Sequence, residues 1–515
     1  MNQNQTPLLD AIISSAKRPH APFYTPGHKQ GKGISPKLTD YFGKAVFSAD
    51  LTELTELDCL FAPDGVIQQA QQLAAEAFGS SQTWFLINGS TCGIEAAILA
   101  TCSDRDKIIL PRNVHSSVIS GLILSGAIPI FINPEYDATL DIAHSITVKS
   151  LETALQQHPD AKAVMIVYPT YYGVCGDIKA IAKLTHEYNI PLLIDEAHGA
   201  HFAFHPELPI SALNAGADLT VQSIHKTLGA MTQASMLHVQ SNRININRIN
   251  KALQLTQSTS PSYILLASLD AARQQIALHG KELLTRTLQL ASEARKQISQ
   301  IPGLSVFSLS SNWFLASGWE PPEARLCLTK VDKRQSLSEC VPSLQAGNEG
   351  KEGKVFKHSN LDKTRLTVNV SELGITGFEA EEILDEKFNV TPEFASLQHL
   401  TFIISLGNTA DDIEQLVKAF TTLAKYRKPL LANEKGLESR ISSIYHNQEA
   451  EPGNQISPRQ AFFAATETLP IKETINRTCA EIVCPYPPGI PVLMPGEIIT
   501  SAVVEYLQNI QKMGG

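Results

Sequence analysis

The chain has no pair of cysteines that spacing would join. Its eight cysteines lie apart, at 59, 92, 102, 175, 327, 340, 479 and 484, and no Cys-x-x-Cys occurs. A chain of 515 residues buries enough apolar surface to need no covalent staples, so reduced thiols in a cytosolic compartment are expected. Long apolar runs are missing too: nowhere do some eighteen apolar residues follow one another. The start, Met1-Asn2-Gln3-Asn4-Gln5-Thr6-Pro7, has no positive stretch leading into an apolar segment, so neither export nor membrane spanning is supported. Charge is sparse at 18% and its balance is -9, which argues against the clustered Lys and Arg that a nucleic-acid backbone requires. No metal-ligand spacing and no internal repeat is present, and no metal is expected. What remains is 43% hydrophobic, enough for two or three domains with real cores.

The most informative residues present are Asp195 and Lys226. Asp195 ends the apolar run Leu192-Leu193-Ile194, and Lys226 stands in Ser223-Ile224-His225-Lys226-Thr227 after a second apolar run. This pattern is how a fold-type-I enzyme holds pyridoxal 5'-phosphate (PLP). The lysine forms a Schiff base with the aldehyde, and the aspartate keeps the pyridine nitrogen protonated so that the ring can accept electrons. Either residue alone is equally well a solvated loop lysine or a strand-terminal cap. The surrounding segments decide between these readings.

Upstream, Thr83-Trp84-Phe85-Leu86-Ile87 reads as a buried strand that breaks into Asn88-Gly89-Ser90-Thr91-Cys92-Gly93 and then a helix. Strand, Gly/Ser/Thr turn and helix make an anion cradle, with Ser90, Thr91 and Cys92 at the positive end of the dipole, although an ordinary capped helix has the same pattern. Ser223 and His225 are placed to complete a phosphate site. His115, in Pro111-Arg112-Asn113-Val114-His115, follows another strand where α/β sheets bind ligands, and its imidazole suits stacking on a flat cofactor. Ala197 would pack on the opposite face, and His198 would reach the cofactor's phenolic oxygen.

Apolar runs at 84–87, 107–110, 128–132, 163–168, 191–194 and 219–222 alternate with helical patterns, which predicts a doubly covered α/β sheet. An arm over 1–45 carries a helix near 8–16. The large domain spans 46–280, and a long helix near 261–301 leads into a smaller α+β domain over 281–433. That domain has strands at 305–309, 365–369 and 400–404 and helices at 374–389 and 410–426. A stretch at 320–361, rich in Lys, Ser, Gly and Glu, reads as a flexible insertion because it cannot bury enough apolar area to order itself. A linker near 434–458 opens a carboxyl-terminal unit, 434–515.

Taken in order, these motifs resemble the Orn/Lys/Arg decarboxylase family of fold-type-I PLP enzymes, in the short form without an amino-terminal wing domain. Further segments carry the resemblance: Tyr24-Thr25-Pro26-Gly27-His28-Lys29, Asp50-Leu51-Thr52-Glu53, Leu57-Asp58, Thr259-Ser260-Pro261-Ser262-Tyr263, Cys484-Pro485-Tyr486-Pro487-Pro488-Gly489 and Pro495-Gly496-Glu497. It covers nearly the whole chain. It implies an aspartate-aminotransferase-like large domain, a small α+β domain and a C-terminal extension. The implied reaction is α-decarboxylation of lysine or arginine to cadaverine or agmatine within polyamine metabolism, in a cytoplasmic homodimer. Lys226, Asp195 and His225 would be catalytic, and Glu467 is the candidate partner for the substrate's distal cation, though a helix-capping Thr-Glu pair looks the same. Two features depart from the family: the length of the 320–361 stretch, and Asn476-Arg477, where Gly-Arg is usual. Fold does not fix reaction. An aminotransferase or aldolase, or an idle PLP-binding regulator, stays open, with Arg365 and Arg459 as the only prompts for an aminotransferase's carboxylate clamp.

Overall fold

The computed structural model describes residues 1–137, 139–309, 360–426, 456–484 and 489–512. Among these, seven strands form the large-domain sheet: β1 (Gln82–Leu86), β2 (Lys107–Pro111), β3 (Ile128–Ile132), β4 (Ala163–Val167), β5 (Leu192–Asp195), β6 (Leu219–Gln222) and β7 (Ser235–Val239). They lie in the order β1-β7-β6-β5-β4-β2-β3. Neighbours from β6 to β3 pair in parallel, and β7 runs antiparallel to both β6 and β1. The six strands expected from the sequence are all present. β7 was not foreseen, because Ser235-Met236-Leu237-His238-Val239 offers only a short apolar run interrupted by a histidine, yet every residue of it is buried.

Side chains alternate across the pleat. Ile109, Val164, Ile166, Leu192 and Ile194 enter one buried cluster, while Ile108, Leu110, Ala163, Met165 and Leu193 enter the other. Helices Gly89–Thr101, Ser116–Ser125 and Ile246–Thr256 supply Ile94, Ile98, Ile119, Leu122, Ile249 and Leu253 to the second layer. Helices Val66–Phe78, Ile178–Glu187 and Tyr263–Ile298 cover the first. Covering both faces leaves the carboxyl ends of the parallel strands as the open edge, and this edge carries the site.

The 36-residue helix Tyr263–Ile298 runs through the expected division at 280 without a break. Its Leu284 and Leu288 pack in the large core, and Ala291, Ala294 and Ile298 pack in the next one. There β8 (Ser305–Val306), β9 (Arg365–Asn369), β10 (Phe394–Ala395) and β11 (His399–Ile403) form an antiparallel sheet in the order β8-β9-β11-β10. Two helices close this domain, Gly377–Phe388 and Ala410–Leu423. Each starts in a capping box, Thr376 with Glu379 and Thr409 with Asp412, which satisfies amides that the first turn would leave unpaired.

The insertion expected at 320–361 lies outside the described residues except Asn360 and Leu361, which pair with Cys175 and Val174. Most of the linker expected at 434–458 also lies outside them. The arm is tied down by a buried ion pair: Arg273 bonds Asp270 and the carbonyls of Gln3 and Gln5, and Asp270 accepts from Leu8 N. Asn476 adopts a φ of 64°, in the left-handed region that glycine occupies freely and asparagine tolerates. The turn where Gly-Arg is usual therefore forms with Asn-Arg. No described helix is long and apolar enough to cross a membrane, and no described group of three or more His, Cys, Asp or Glu is placed to hold a metal.

Candidate active site

Asp195 is the last residue of β5, in register with Val167 of β4 and Val221 of β6. It is buried, and its carboxylate accepts from Ala197 N at 3.1 Å, so the backbone turning out of the strand fixes its direction. On the adjacent strand, β6 ends at Gln222 and the chain enters the single-turn helix Ile224–Thr227 that carries Lys226. Two neighbouring parallel strands thus deliver the acid and the amine to the same edge.

Lys226 Nζ lies 3.0 Å from His198 Nε2 and 6.0 Å from the Tyr171 ring centroid. Burial lowers the lysine's pKa and the Arg365 guanidinium lowers it further, against the opposing pull of Asp195 and Glu393. His198 is buried between Lys226 and Arg365, whose Nη2 contacts its Nδ1. Burial first, then the cationic charges of Lys226 and Arg365, hold the imidazole pKa well below its ordinary value, so the ring is neutral.

His115 caps the helix Ser116–Ser125, and its Nδ1 accepts from Ser117 N at 3.1 Å. A nitrogen that accepts from an amide has no proton, so the neutral ring carries its hydrogen on Nε2. Burial lowers the His115 pKa, and its electrostatic partners are Asp195 and Lys226, which places it at the same site. His225 Nδ1 lies 3.0 Å from Ala234 O. A carbonyl only accepts, so Nδ1 holds the proton and Nε2 offers a lone pair.

The Asn88–Gly93 turn reaches this site through one intermediary. Gly89 N donates to Gln233 O at 3.0 Å, and His225 N donates to the next carbonyl, Ala234 O, at 3.2 Å. Ser90 is half-buried and Thr91 exposed at the start of the helix. Cys92 turns its thiol inward onto Gly89 O, and burial pushes that thiol's pKa up to about 12. Only its backbone amide is left to face an anion. Ser223 Oγ and Thr227 Oγ1, on either side of Lys226, are buried hydroxyls without a partner among the described residues.

Glu467 is not gathered with these groups. Its side chain is 59% exposed and pairs with Arg477. Arg459, one of two prompts for a carboxylate clamp, instead donates to Leu124 O and docks the carboxyl-terminal unit on the helix Ser116–Ser125. Arg365, the other, enters the site.

Three residues that sequence reasoning missed or left unplaced belong here. Arg365 starts β9, Glu393 precedes β10, and Tyr171 follows β4. Glu393 acts electrostatically on Lys226, His225 and Arg365. Nothing local to Glu393 in the sequence marks it out. Finally, Arg112 and Glu497, both motif residues, form a buried pair 3.0 Å apart that fastens the carboxyl-terminal unit beside the His115 loop.

The doubly covered, largely parallel sheet with a small antiparallel domain behind it is the fold-type-I architecture. Comparison with known proteins narrows this class. The family profile described as Orn/Lys/Arg decarboxylase, major domain, matches residues 6–412, and that for the C-terminal domain of the same family matches 441–515. The arginine decarboxylase of Bacillus subtilis (strain 168) is 38% identical over 507 residues, covering 98% of this chain and 94% of the relative. Lysine decarboxylase LdcA of Pseudomonas aeruginosa is 26% identical over 579 residues, covering 98% of this chain and 75% of the relative. The crystal structure of the Francisella novicida lysine decarboxylase LdcF shares the fold, with a TM-score of 0.77 at 21% identity over 99% of this chain and 77% of that one. The chain belongs to the Orn/Lys/Arg decarboxylase family and is an amino-acid decarboxylase.

Proposed function

We propose that the chain uses PLP to release the α-carboxylate of arginine or lysine as CO2, giving agmatine or cadaverine for polyamine metabolism. The observation that carries this reading is Lys226: a half-buried amine of lowered pKa, held beside His198 at the strand edge that also bears Asp195. The residues present fit the cofactor. Ser223 Oγ and Thr227 Oγ1 are donors beside the lysine that have no partner among the described residues, as a phosphate site requires, and Ser90, Thr91 and the Cys92 amide open a helix of 13 residues whose dipole favours an anion. When bound, PLP supplies a sink for the electron pair left at Cα as CO2 departs.

The chain's own residues do the rest. Lys226 would hold the cofactor through its amine. Asp195 would face the ring nitrogen and keep it protonated, with His115 and Ala197 on the two faces of the ring. With the cofactor bound, the His198 Nε2 hydrogen that faces Lys226 would be the one available to the phenolic oxygen. A proton must return to Cα, and His225 or Lys226 could supply it. The lone pair on His225 Nε2 favours Lys226 as the donor. The low polarity that shifts these groups also favours turning a charged carboxylate into neutral CO2.

Arginine is the favoured substrate, because the 38%-identical relative is named an arginine decarboxylase and the 26%-identical one a lysine decarboxylase. Within one chain Glu393, whose charge acts on Lys226, His225 and Arg365, is a second candidate for the distal cation. Glu467 can serve only if it leaves Arg477. The homodimer is supported by exposed apolar side chains on the arm, Phe23 at 92% and Tyr41 at 84%, with Leu255 at 80% just before residues 259–263. A cytoplasmic setting is supported by six described cysteines, all of them free. Arg365 is what would favour an aminotransferase, but its Nη2 is committed to His198. The test is borohydride reduction of the yellow holoenzyme with peptide mapping, followed by CO2 release from arginine, lysine, ornithine, glutamate and aromatic amino acids. A pyridoxyl group on any lysine but Lys226 overturns the cofactor site. Turnover confined to glutamate or aromatic substrates overturns the substrate class.

A further inference from the structure

Arg365 enters the site from the small domain and is buried, yet only Nη2 has a partner; Nε and Nη1 have none among the described residues. A guanidinium has hydrogens to give and no lone pair to offer, and it keeps its charge at any pH a protein survives. Its contact with His198 Nδ1 therefore requires a lone pair on Nδ1. His198 is neutral, so its one proton sits on Nε2. Nε2 in turn lies 3.0 Å from Lys226 Nζ. A hydrogen directed at Nζ needs a lone pair there, which an amine has and an ammonium lacks. Donation thus runs one way, from Arg365 through His198 to Lys226.

We propose that Arg365 is a positioning residue that locks His198 as its Nε2–H tautomer, and that this lock holds Lys226 as the free amine ready for an aldehyde. An ammonium at Lys226 would need Nε2 as acceptor. The ring proton would then move to Nδ1 and face the buried Arg365 N–H groups head-on. The inference rests on the assignment of Lys226 as the cofactor lysine, but the tautomer itself does not.

Other charges also face Nζ and enter any pH profile: Asp195 on β5, Glu393 before β10, and His115 and His225 from their loops, with the Tyr171 ring alongside. Removing the cation of Arg365 therefore shifts Lys226 by charge alone, so the tautomer must be read directly beside the capture profile. Arg365→Met removes both donor and charge. Arg365→Lys keeps both, without the fork.

The decisive measurement reads the ring nitrogens directly. In apoprotein labelled with 15N-histidine, with His198 assigned by difference against His198→Gln, the Nδ1 resonance should be that of a bare nitrogen and the Nε2 resonance that of N–H. In Arg365→Met the proton should move to Nδ1, and in Arg365→Lys it should return to Nε2. In parallel, the pH at half-maximal capture of PLP by the apoprotein should rise by about one to two units in Arg365→Met, so that capture at neutral pH slows roughly ten- to hundredfold, the scale of one charge-assisted hydrogen bond. Arg365→Lys should restore most of it. A wild-type His198 that is protonated on Nδ1, or on both nitrogens, overturns the proposal. An Arg365→Met protein with the wild-type tautomer overturns it too, and then any slower capture is a charge effect. Capture that maps to another lysine in the wild type defeats the cofactor assignment and leaves the tautomer result standing.

Discussion

Replacing Glu497 with alanine should release the carboxyl-terminal unit from the active-site loop. Arg112 is 4% exposed and Glu497 16%, with 3.0 Å between Nη2 and Oε2. The guanidinium also bonds Val492 O at 3.2 Å and Pro491 O at 3.4 Å, and Glu497 accepts from Met494 N at 2.8 Å. Burial raises the Glu497 pKa and Arg112 opposes the rise, so the carboxylate's charge depends on its partner. Removing one partner of a buried pair costs roughly 3–5 kcal/mol, because a charge is left uncompensated. Arg112 would keep its carbonyl partners, so the lower end, about 3 kcal/mol, is expected; at 1.36 kcal/mol per decade that is roughly 150-fold in a local opening constant. A chain with several cores has no single unfolding free energy, and local opening is the meaningful readout. Hydrogen exchange should therefore accelerate by about a hundredfold at the amides of Val483, Val492 and Met494, which bond within this unit, and stay unchanged in β4 and β5. The His115 loop should loosen with it, since Ser116 N donates to Gly489 O. Arg112→Met with Glu497→Leu should recover most of the protection, since apolar replacement of both partners is often neutral. Exchange within about threefold of wild type in Glu497→Ala, less than 1 kcal/mol, would refute the reasoning.

Asp195→Asn should retain the cofactor but lose on the order of a hundredfold or more in turnover, because an amide cannot hold the ring nitrogen protonated; near wild-type kcat would show that another group supplies the charge. Glu393→Gln should raise KM for arginine roughly ten- to hundredfold with little change in the cofactor spectrum, and Glu467→Gln should do so instead if the carboxyl-terminal carboxylate reads the cation. Comparing the two KM values decides which acid is used. Asp58 accepts from the amides of Cys59, Asp64, Gly65, Ile67 and Gln68 at 2.7–3.3 Å. Burial pushes its pKa up, but those amides outweigh it and leave the pKa lowered. Its contribution to stability is thus present above the unfolded aspartate value of about 4 and lost as pH falls through the lower folded value. Asp58→Asn should be less stable than wild type at pH 7, with the gap closing below pH about 4 in acid-denaturation scans; a gap that does not depend on pH would contradict this.

Local chemistry in the sequence singled out the two groups on which the proposed site is built. Asp195 and Lys226 were legible because each follows an apolar run, and the open edge of a doubly covered sheet is where the carboxyl ends of such runs emerge. The long helix into the small domain was legible for the same reason: its signal lies within a few residues of the structure it causes. Tertiary structure alone decided the rest. β7 is set between β1 and β6 by burial that its own five residues do not advertise. Arg365 and Glu393 come from a domain whose order in the chain says nothing of which side chains will lean over Lys226, and His198 acquires a fixed tautomer only when Arg365 arrives from 167 residues away. Glu467 shows the converse, a residue chosen by its motif that the fold leaves paired with Arg477 at the surface. Arg112 and Glu497 stand 385 residues apart, and both were visible as motif members. Their meeting required the chain to close on itself, since attraction between two charges strengthens only where packing has removed the water between them.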